Sequence, residues 1–331
     1  MTDTSLDIIA IGNAIVDVIS RADDAFIEEE GLPKGSMRLV DTDAAEGLYS
    51  RMGPGMEASG GSAANTVAGI AALGGRCGFI GQVADDQLGR VFTHDIRSLG
   101  VKFDTAVRAG DPPTARCLIL VTPDAQRTMN TFLGASQFLP EDALDRDLIA
   151  SASILYLEGY LWDPEQPRAA MRAAIDIARG AGRKVAFTLS DAFCISRHRA
   201  DFRALIDGGM LDILFANEGE ILSLVETDDF DAAIDEIAAK VALLVVTRSE
   251  KGAIAVQDGQ RYAVPAEPID RIVDTTGAGD LFAAGFLAGQ AQGRSVTDSL
   301  TMGAVAAAEV ISHYGARPEA DLKALVQKRL G

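Results

Sequence analysis

Short runs of β-branched and aliphatic residues recur along the chain at positions 6–11, 78–83, 154–157, 185–189, 213–216 and 243–247. Apolar on successive positions instead of alternating ones, they read as strands buried on both faces, the pattern of a parallel sheet. Between them lie Ala- and Leu-rich stretches with helical periodicity at 62–73, 169–178, 232–239 and 281–288. Strand and helix in alternation predict βα units stacked in three layers, an α/β doubly wound, mostly parallel sheet. Two segments break this rhythm. Residues 14–40 and 103–132 carry alternating patterns punctuated by turn residues, which predict a small antiparallel sheet projecting as a lid. The expected division is therefore a large α/β domain of residues 1–13, 41–102 and 133–331, and a small β lid of residues 14–40 and 103–132. No repeat or low-complexity linker marks a separate terminal module, so the lid is expected to be built from insertions.

Composition narrows the function classes. With 331 residues and 48% hydrophobic content, the chain can bury a large core without disulfides or metals. Thirty basic against forty-eight acidic side chains give a net charge of −18, which disfavours nucleic acid and anionic membrane surfaces as partners. No apolar run is long enough to span a bilayer, and the first residues lack the basic start and apolar block of a signal peptide, so a cytoplasmic location is expected. Cys77, Cys117 and Cys194 are few and widely spaced, against a disulfide framework or zinc cluster, and His94, His198 and His313 form no ligand-spaced pair.

The chemistry concentrates at residues 274–280, Asp-Thr-Thr-Gly-Ala-Gly-Asp, where small residues and a carboxylate precede an apolar helix beginning at Leu281. Gly277, Ala278 and Gly279 permit close backbone approach, and first-turn N–H groups there can hold a phosphate. Asp280, in the same turn, could accept a proton from a hydroxyl lying beside that phosphate. The same residues also suit a plain glycine-rich strand-to-helix turn with a favourable first-turn acid. In Ala14-Ile15-Val16-Asp17-Val18-Ile19, period two puts Asp17 on the face of Ile15 and Ile19, either to bind vicinal hydroxyls of a covered ligand or simply to face solvent. Gly60-Gly61-Ser62-Ala63-Ala64-Asn65 is a glycine pair entering a helix, which equally suits a ligand site and close helix–sheet packing.

These clusters occur together and in order, and over nearly its whole length the chain resembles the ribokinase-like (PfkB-type) carbohydrate and nucleoside kinases. GGSAANTVAGIAALGG followed by GFIGQVADDQLG is similar to that family's first motif, and DTTGAGDLFAAGFLAG to its second. Asn217-Glu218-Gly219-Glu220 matches an Asn-x-x-Glu motif associated with magnesium and phosphate. Residues 247–252, from Thr247 to Gly252, take the place of a nucleotide-binding strand end and loop, with Ser249 where glycine is more usual. The resemblance implies an ATP site behind the 277–280 turn, with Asp280 as general base, the amides of Gly277, Ala278 and Gly279 as anion hole, and Mg²⁺ handled by Glu220, indirectly through water. No Gly-x-x-x-x-Gly-Lys-Ser/Thr loop is present, so phosphate binding is expected to rest on this turn.

Within the family, Gly12-Asn13-Ala14-Ile15-Val16-Asp17 and residues 127–135 and 306–317 look like the adenosine kinase branch. Carried over residue by residue, Asn13 and Asp17 would contact a nucleoside, Gly61 and Asn65 its ribose, and Arg127 the transferring phosphate. Asn217, Glu220, Thr247 and Gly252 would border the nucleotide, and Met37 and Phe132 the base pocket. The implied reaction moves the γ-phosphate of ATP to a primary hydroxyl, most simply the 5′-hydroxyl of adenosine. A ribose- or fructose-type sugar kinase would use much the same hydroxyl-binding set, and a silent nucleotide or sugar sensor could share the fold. The partner is a small nucleoside or sugar, and the expected assembly is a monomer or homodimer.

Overall fold

The computed structural model describes residues 5–124 and 126–331. In chain order the strands among them are β1 Leu6–Ile11, β2 Ile15–Arg21, β3 Met37–Leu39, β4 Gly55–Gly60, β5 Cys77–Ile80, β6 Ala115–Val121, β7 Arg127–Phe132, β8 Ala152–Glu158, β9 Lys184–Thr188, β10 Ile213–Asn217, β11 Leu243–Thr247, β12 Ala253–Gln257 and β13 Gln260–Val264. Eight of them form the body sheet in the order β13-β12-β11-β10-β9-β8-β1-β5. From β5 to β11 the pairings are parallel. The continuous apolar runs are explained by helices on both faces. Alternate residues of β1 enter opposite cores, Ile8 and Ala10 one, Ile9 and Ile11 the other. The first core is covered by helices Ser62–Ala72, Ala278–Ala291 and Val296–Val310, the second by Glu165–Gly180, Ala192–Asp207, Glu218–Val225 and Phe230–Ala238. The expected three-layer, doubly wound architecture is therefore present. Beyond it, the antiparallel hairpin β12–β13 extends one edge, pairing Leu243 with Gln257 through Thr247 with Ala253.

The second sheet has the order β3-β7-β6-β2-β4, with β2 antiparallel to β4 and parallel to β6. Its composition corrects the expected boundaries in two places. Strand β4 and helix Thr42–Arg51, both within the stretch assigned to the large domain, belong with the small sheet: β4 pairs with β2 from Ile15–Gly60 to Ser20–Gly55, and Leu48 packs with Val18, Leu118 and Leu120. The sequence Gly-Met-Glu-Ala-Ser-Gly has little strand propensity of its own, and its strand conformation depends on hydrogen bonds from β2. Residues 103–114, assigned to the lid, contain no strand; Lys102 and Arg108 instead bridge to Gly78 and Ala84 at the body's edge. The outer face of the small sheet is closed by Ile27, Leu32 and Leu48. Its inner face carries Ile15, Cys117, Ile119 and Met129 and looks toward the carboxyl ends of the body strands. Among the described residues no helix is long and apolar enough to cross a membrane.

The helix that carries the 277–280 turn is locked to its neighbour by absent side chains. A Cβ at Gly285 would lie 2.3 Å from the Met302 carbonyl oxygen, and one at Gly303 would lie 2.8 Å from that of Phe282. Gly285→Val should therefore force the two helices apart and destabilise the protein by about 1–3 kcal/mol. The urea midpoint of the variant measures this; an unchanged midpoint would show that the helices separate without cost.

Candidate active site

Between the inner face of the small sheet and the carboxyl edge of the body sheet lies a cleft of about 480 Å³. This is where an open α/β sheet presents loops and helix N-termini to a ligand. Asn13, Asp17, Gly61, Asn65 and Arg127 line it, as do Gly277, Ala278, Gly279 and Asp280, together with Asn217, Glu220 and Thr247. Gly252 lies outside the lining. At φ +87° it turns the chain between β11 and β12, where a Cβ would meet the Val264 carbonyl oxygen at 2.0 Å. Its requirement for glycine is thus conformational. In the same turn Ser249 sits at φ +50°, a left-handed conformation that accounts for glycine being the more usual residue at that position.

The 274–280 turn is held by its first residue. The Asp274 carboxylate is 3% exposed; it accepts from Thr276 N at 2.7 Å and Gly315 N at 2.9 Å, and pairs with the Arg127 guanidinium. Gly277, at φ +75°, begins helix Ala278–Ala291, and a Cβ there would come within 2.7 Å of the Ala316 Cβ. Open space surrounds Gly279. Asp280 is gripped from the other end of the chain: Ser62 Oγ donates to Oδ1 at 2.6 Å and Asn65 Nδ2 to Oδ2 at 2.9 Å. Burial raises its pKa above the ordinary carboxylate value, with Ser62, Asn65 and Arg317 acting against that rise.

Asp17 extends from β2 into the cleft beside Ile15, on the face that alternation assigns it. Gly60 across the ladder leaves the room; a Cβ there would be 2.2 Å from Asp17 Oδ2. Burial pushes the Asp17 pKa up to about 7, helped by Asp280 and resisted by Arg317 and Arg127. Both guanidiniums are lowered to about 10, again chiefly by burial. Arg317 is fixed by donating to Ser59 O at 3.0 Å and Ala64 O at 2.6 Å. Asn13 donates through its backbone N and through Nδ2 to Glu158 Oε1, each at 2.8 Å. The Oδ1 atoms of Asn13 and Asn65 are buried without a hydrogen-bond partner. Met37 lines the cleft, whereas Phe132 does not: Met129 and Thr131 occupy the inner positions of β7, and Phe132 points to the outer face, with Arg116 5.8 Å from its ring.

At the other end, Asn217 and Glu220 form a capping box on helix Glu218–Val225. Asn217 Oδ1 accepts from Glu220 N at 2.8 Å, while the Asn217 N and Nδ2 donate to the Glu220 carboxylate at 3.0 and 2.6 Å. Burial pushes Glu220 up to about 7, with Asp191 adding to the rise. Among the described residues no group of three or more His, Cys, Asp or Glu could hold a metal. Sequence reasoning did not single out Ser62, Glu158, Asp274 or Arg317. Ser62 and Asp274 lie inside the quoted motifs and Arg317 within residues 306–317, but Glu158 ends an apolar strand and nothing near it in sequence marks it.

A family model for pfkB family carbohydrate kinase matches residues 43–322. Among curated relatives, a fructokinase of Klebsiella pneumoniae is 30% identical over 240 residues, 71% of this chain and 78% of that protein. An adenosine kinase of Saccharomyces cerevisiae is 26% identical over 93% of this chain and 95% of its own. Two solved structures superpose over 98% of this chain and 99% of theirs. One is a probable sugar kinase of Rhizobium etli at 48% identity and TM-score 0.95, the other an adenosine kinase of Sinorhizobium meliloti at 50% identity and TM-score 0.93. With the fold, the cleft and these matches in agreement, the chain belongs to the pfkB family of carbohydrate kinases and is an ATP-dependent carbohydrate or nucleoside kinase.

Proposed function

We propose that the acceptor is a nucleoside, adenosine in the first instance, phosphorylated on its 5′-hydroxyl by ATP. The observation that carries this reading is the two-sided character of the cleft. Ile15, Met37, Leu39, Ile119, Met129 and Leu133 make an apolar wall on the small sheet, a slot suited to a flat base. The same cleft carries acceptors for hydroxyl donors, among them the Asp17 carboxylate on the small sheet beside Ile15. The Nδ2 groups of Asn13 and Asn65, two residues that line the cleft, are spent on Glu158 and Asp280, so each side chain keeps a buried Oδ1 without a hydrogen-bond partner. An unmet buried acceptor costs about 1–3 kcal/mol, which sugar hydroxyls would recover. The 50% identity to the Sinorhizobium meliloti adenosine kinase supports the same assignment. A simple sugar would satisfy the acceptors but leave the apolar wall unused.

In the reaction, the acceptor oxygen forms a bond to the γ-phosphorus as the bond from that phosphorus to the ADP oxygen breaks. Asp280 takes the hydroxyl proton, and the first-turn N–H groups around Gly277, Ala278 and Gly279 hold the charge on the transferring group. Asp17 and Gly61 seat the sugar. Arg127, held against Asp274 at the edge of the turn, places positive charge beside the transfer path. The residues present fit a Mg²⁺ ion that keeps most of its waters. Glu220 and Asn217 occupy one wall of the cleft, both Glu220 oxygens accept from Asn217 so that the carboxylate would reach an ion through water, and Mg²⁺ is ordinarily held by one or two carboxylates, waters and phosphates. Bound there, the ion would neutralise phosphate charge. Thr247 would border the nucleotide, and Gly252 would act only by shaping the adjoining turn.

A panel of acceptors with ATP tests the substrate. Adenosine should exceed ribose and fructose in kcat/KM by about a hundredfold, the worth of the apolar wall at roughly 2–3 kcal/mol; the reverse order would assign the sugar reading instead. Asp280→Asn should leave the protein folded and ATP bound while lowering kcat by about 10²–10⁴. In the wild type, kcat should fall as acid protonates Asp280, at a pH above the ordinary carboxylate value of about 4, because burial favours its neutral form. An acid limb below that value would remove Asp280 from the role of base. Asp17→Ala should raise KM for adenosine by up to about a hundredfold with little change for ATP. Equal losses for both substrates would make Asp17 structural.

A further inference from the structure

Between body and small sheet the chain first crosses outward at Gly12, Asn13 and Ala14, from β1 to β2, and returns at Gly61, from β4 to helix Ser62–Ala72. The two crossings lie side by side, since Ile15 pairs with Gly60. Both are tied to one side chain. Glu158, the last residue of β8 and 0% exposed, accepts from Asn13 N and Asn13 Nδ2 on Oε1 and from Ala63 N on Oε2, at 2.8, 2.8 and 2.7 Å. We propose that Glu158 is a positioning residue, a buried clamp that joins both crossings to the body and thereby sets the small sheet, the Asn13 amide and the Asp280 partners in register with one another.

Three observations support the assignment. Helix Ser62–Ala72 has Gly61 at its N-cap and no capping side chain of its own; Glu158, from a different strand, takes a first-turn N–H in place of a cap, where the helix dipole favours a carboxylate. The backbone is shaped around the clamp. A Cβ at Gly12 would meet Glu158 Oε2 at 2.5 Å and the Ala63 Cβ at 2.7 Å, and one at Gly61 would meet the Asn13 carbonyl oxygen at 2.2 Å. The clamp also has consequences at both ends of the cleft. It spends Asn13 Nδ2, which fixes the orientation of a side chain that lines the cleft, and it fixes the turn whose Ser62 and Asn65 hold Asp280. Burial pushes Glu158 up to about 7, a cost that its three N–H donors only partly offset. A hydrophobic residue at this position would avoid the cost but could join neither crossing.

Glu158→Gln keeps the shape and removes the function, because an amide cannot accept at both oxygens; one of the three N–H groups is left facing another donor. Steady-state kinetics with adenosine and ATP, and amide exchange of the substrate-free protein, together test the clamp. The kinetic arm rests on the proposal that the acceptor lies under the small sheet; the exchange arm does not. Expected is a rise in KM for adenosine of about tenfold or more with KM for ATP changed less than about twofold. Exchange at residues 12–17 and 59–65 should quicken by about tenfold or more while β9, β10 and β11 keep their protection. Gly12→Ala, which leaves the carboxylate in place but wedges the crossing, should give the same selective pattern and carries the test should the Gln variant not fold. Unchanged exchange at the two crossings, or exchange quickened equally in β9, β10 and β11, would overturn the proposal. Wild-type protein that does not phosphorylate adenosine would overturn the nucleoside reading alone, with the exchange result still deciding the clamp.

Discussion

Two hydrogen bonds, from Ser62 Oγ and Asn65 Nδ2 to the Asp280 carboxylate, join the beginning of one helix to the beginning of another more than two hundred residues later. Everything else in the cleft is arranged around that junction. The Ser62 helix starts where the small sheet ends, and the Asp280 helix starts where the body presents its glycine turn. Fixing one to the other therefore fixes the position of the small-sheet wall that carries Asp17 relative to the 277–280 turn. Close helix contact makes the junction rigid: a Cβ at Gly69 would lie 2.6 Å from Leu281 Cδ1 and 2.7 Å from Ala284 Cβ. The geometry of a phosphoryl transfer depends on such positioning more than on any covalent participation by the protein.

The electrostatics of the cleft follow from burial. Asp17, Glu158, Glu220 and Asp280 are all pushed above the ordinary carboxylate range, with desolvation the largest cause for each. Arg127 and Arg317 are lowered by the same effect. A cluster of this kind costs stability, because charges removed from water recover only part of their hydration from one another. Its concentration at the one cleft that also carries the glycine turn is what a catalytic site looks like in physical terms. The surrounding cores are ordinary apolar packing, and they supply the stability that the cleft spends.

The small sheet divides its labour by alternation. On β7, Thr128, Asn130 and Phe132 turn to the covered outer face while Arg127, Met129 and Thr131 turn inward. On β2, Ile15 and Asp17 face the cleft and Val18 faces the outer core. A single sheet thus presents an apolar wall and a carboxylate to the same cleft while remaining anchored on its other side.

The body sheet was legible in the chain because its strands are continuous apolar runs and its helices carry their own periodicity; β1, β10 and β11 lie where those runs lie. The glycine turn before the helix was legible for the same local reason, although small residues there also suit a plain strand-to-helix turn, and Asp280 stood out only beside the other motifs. Strand β4 was not, because its residues favour no strand until β2 supplies hydrogen bonds, and residues 103–114 were misplaced because alternation alone does not say which sheet a segment follows. Phe132 was assigned to the wrong face because the register of β7 is set by its partners β6 and β3. Glu158 was invisible: an acid at the end of an apolar strand acquires meaning only when Asn13 and Ala63 are brought to it from 145 and 95 residues away. The layers and the 277–280 turn could be read from the chain because they are local or periodic properties, whereas the class of chemistry followed from motifs that, taken together and in order, resemble those of a family. Tertiary structure decided which polar groups meet and which buried atoms remain unpaired, because those depend on contacts between segments that local pattern does not encode.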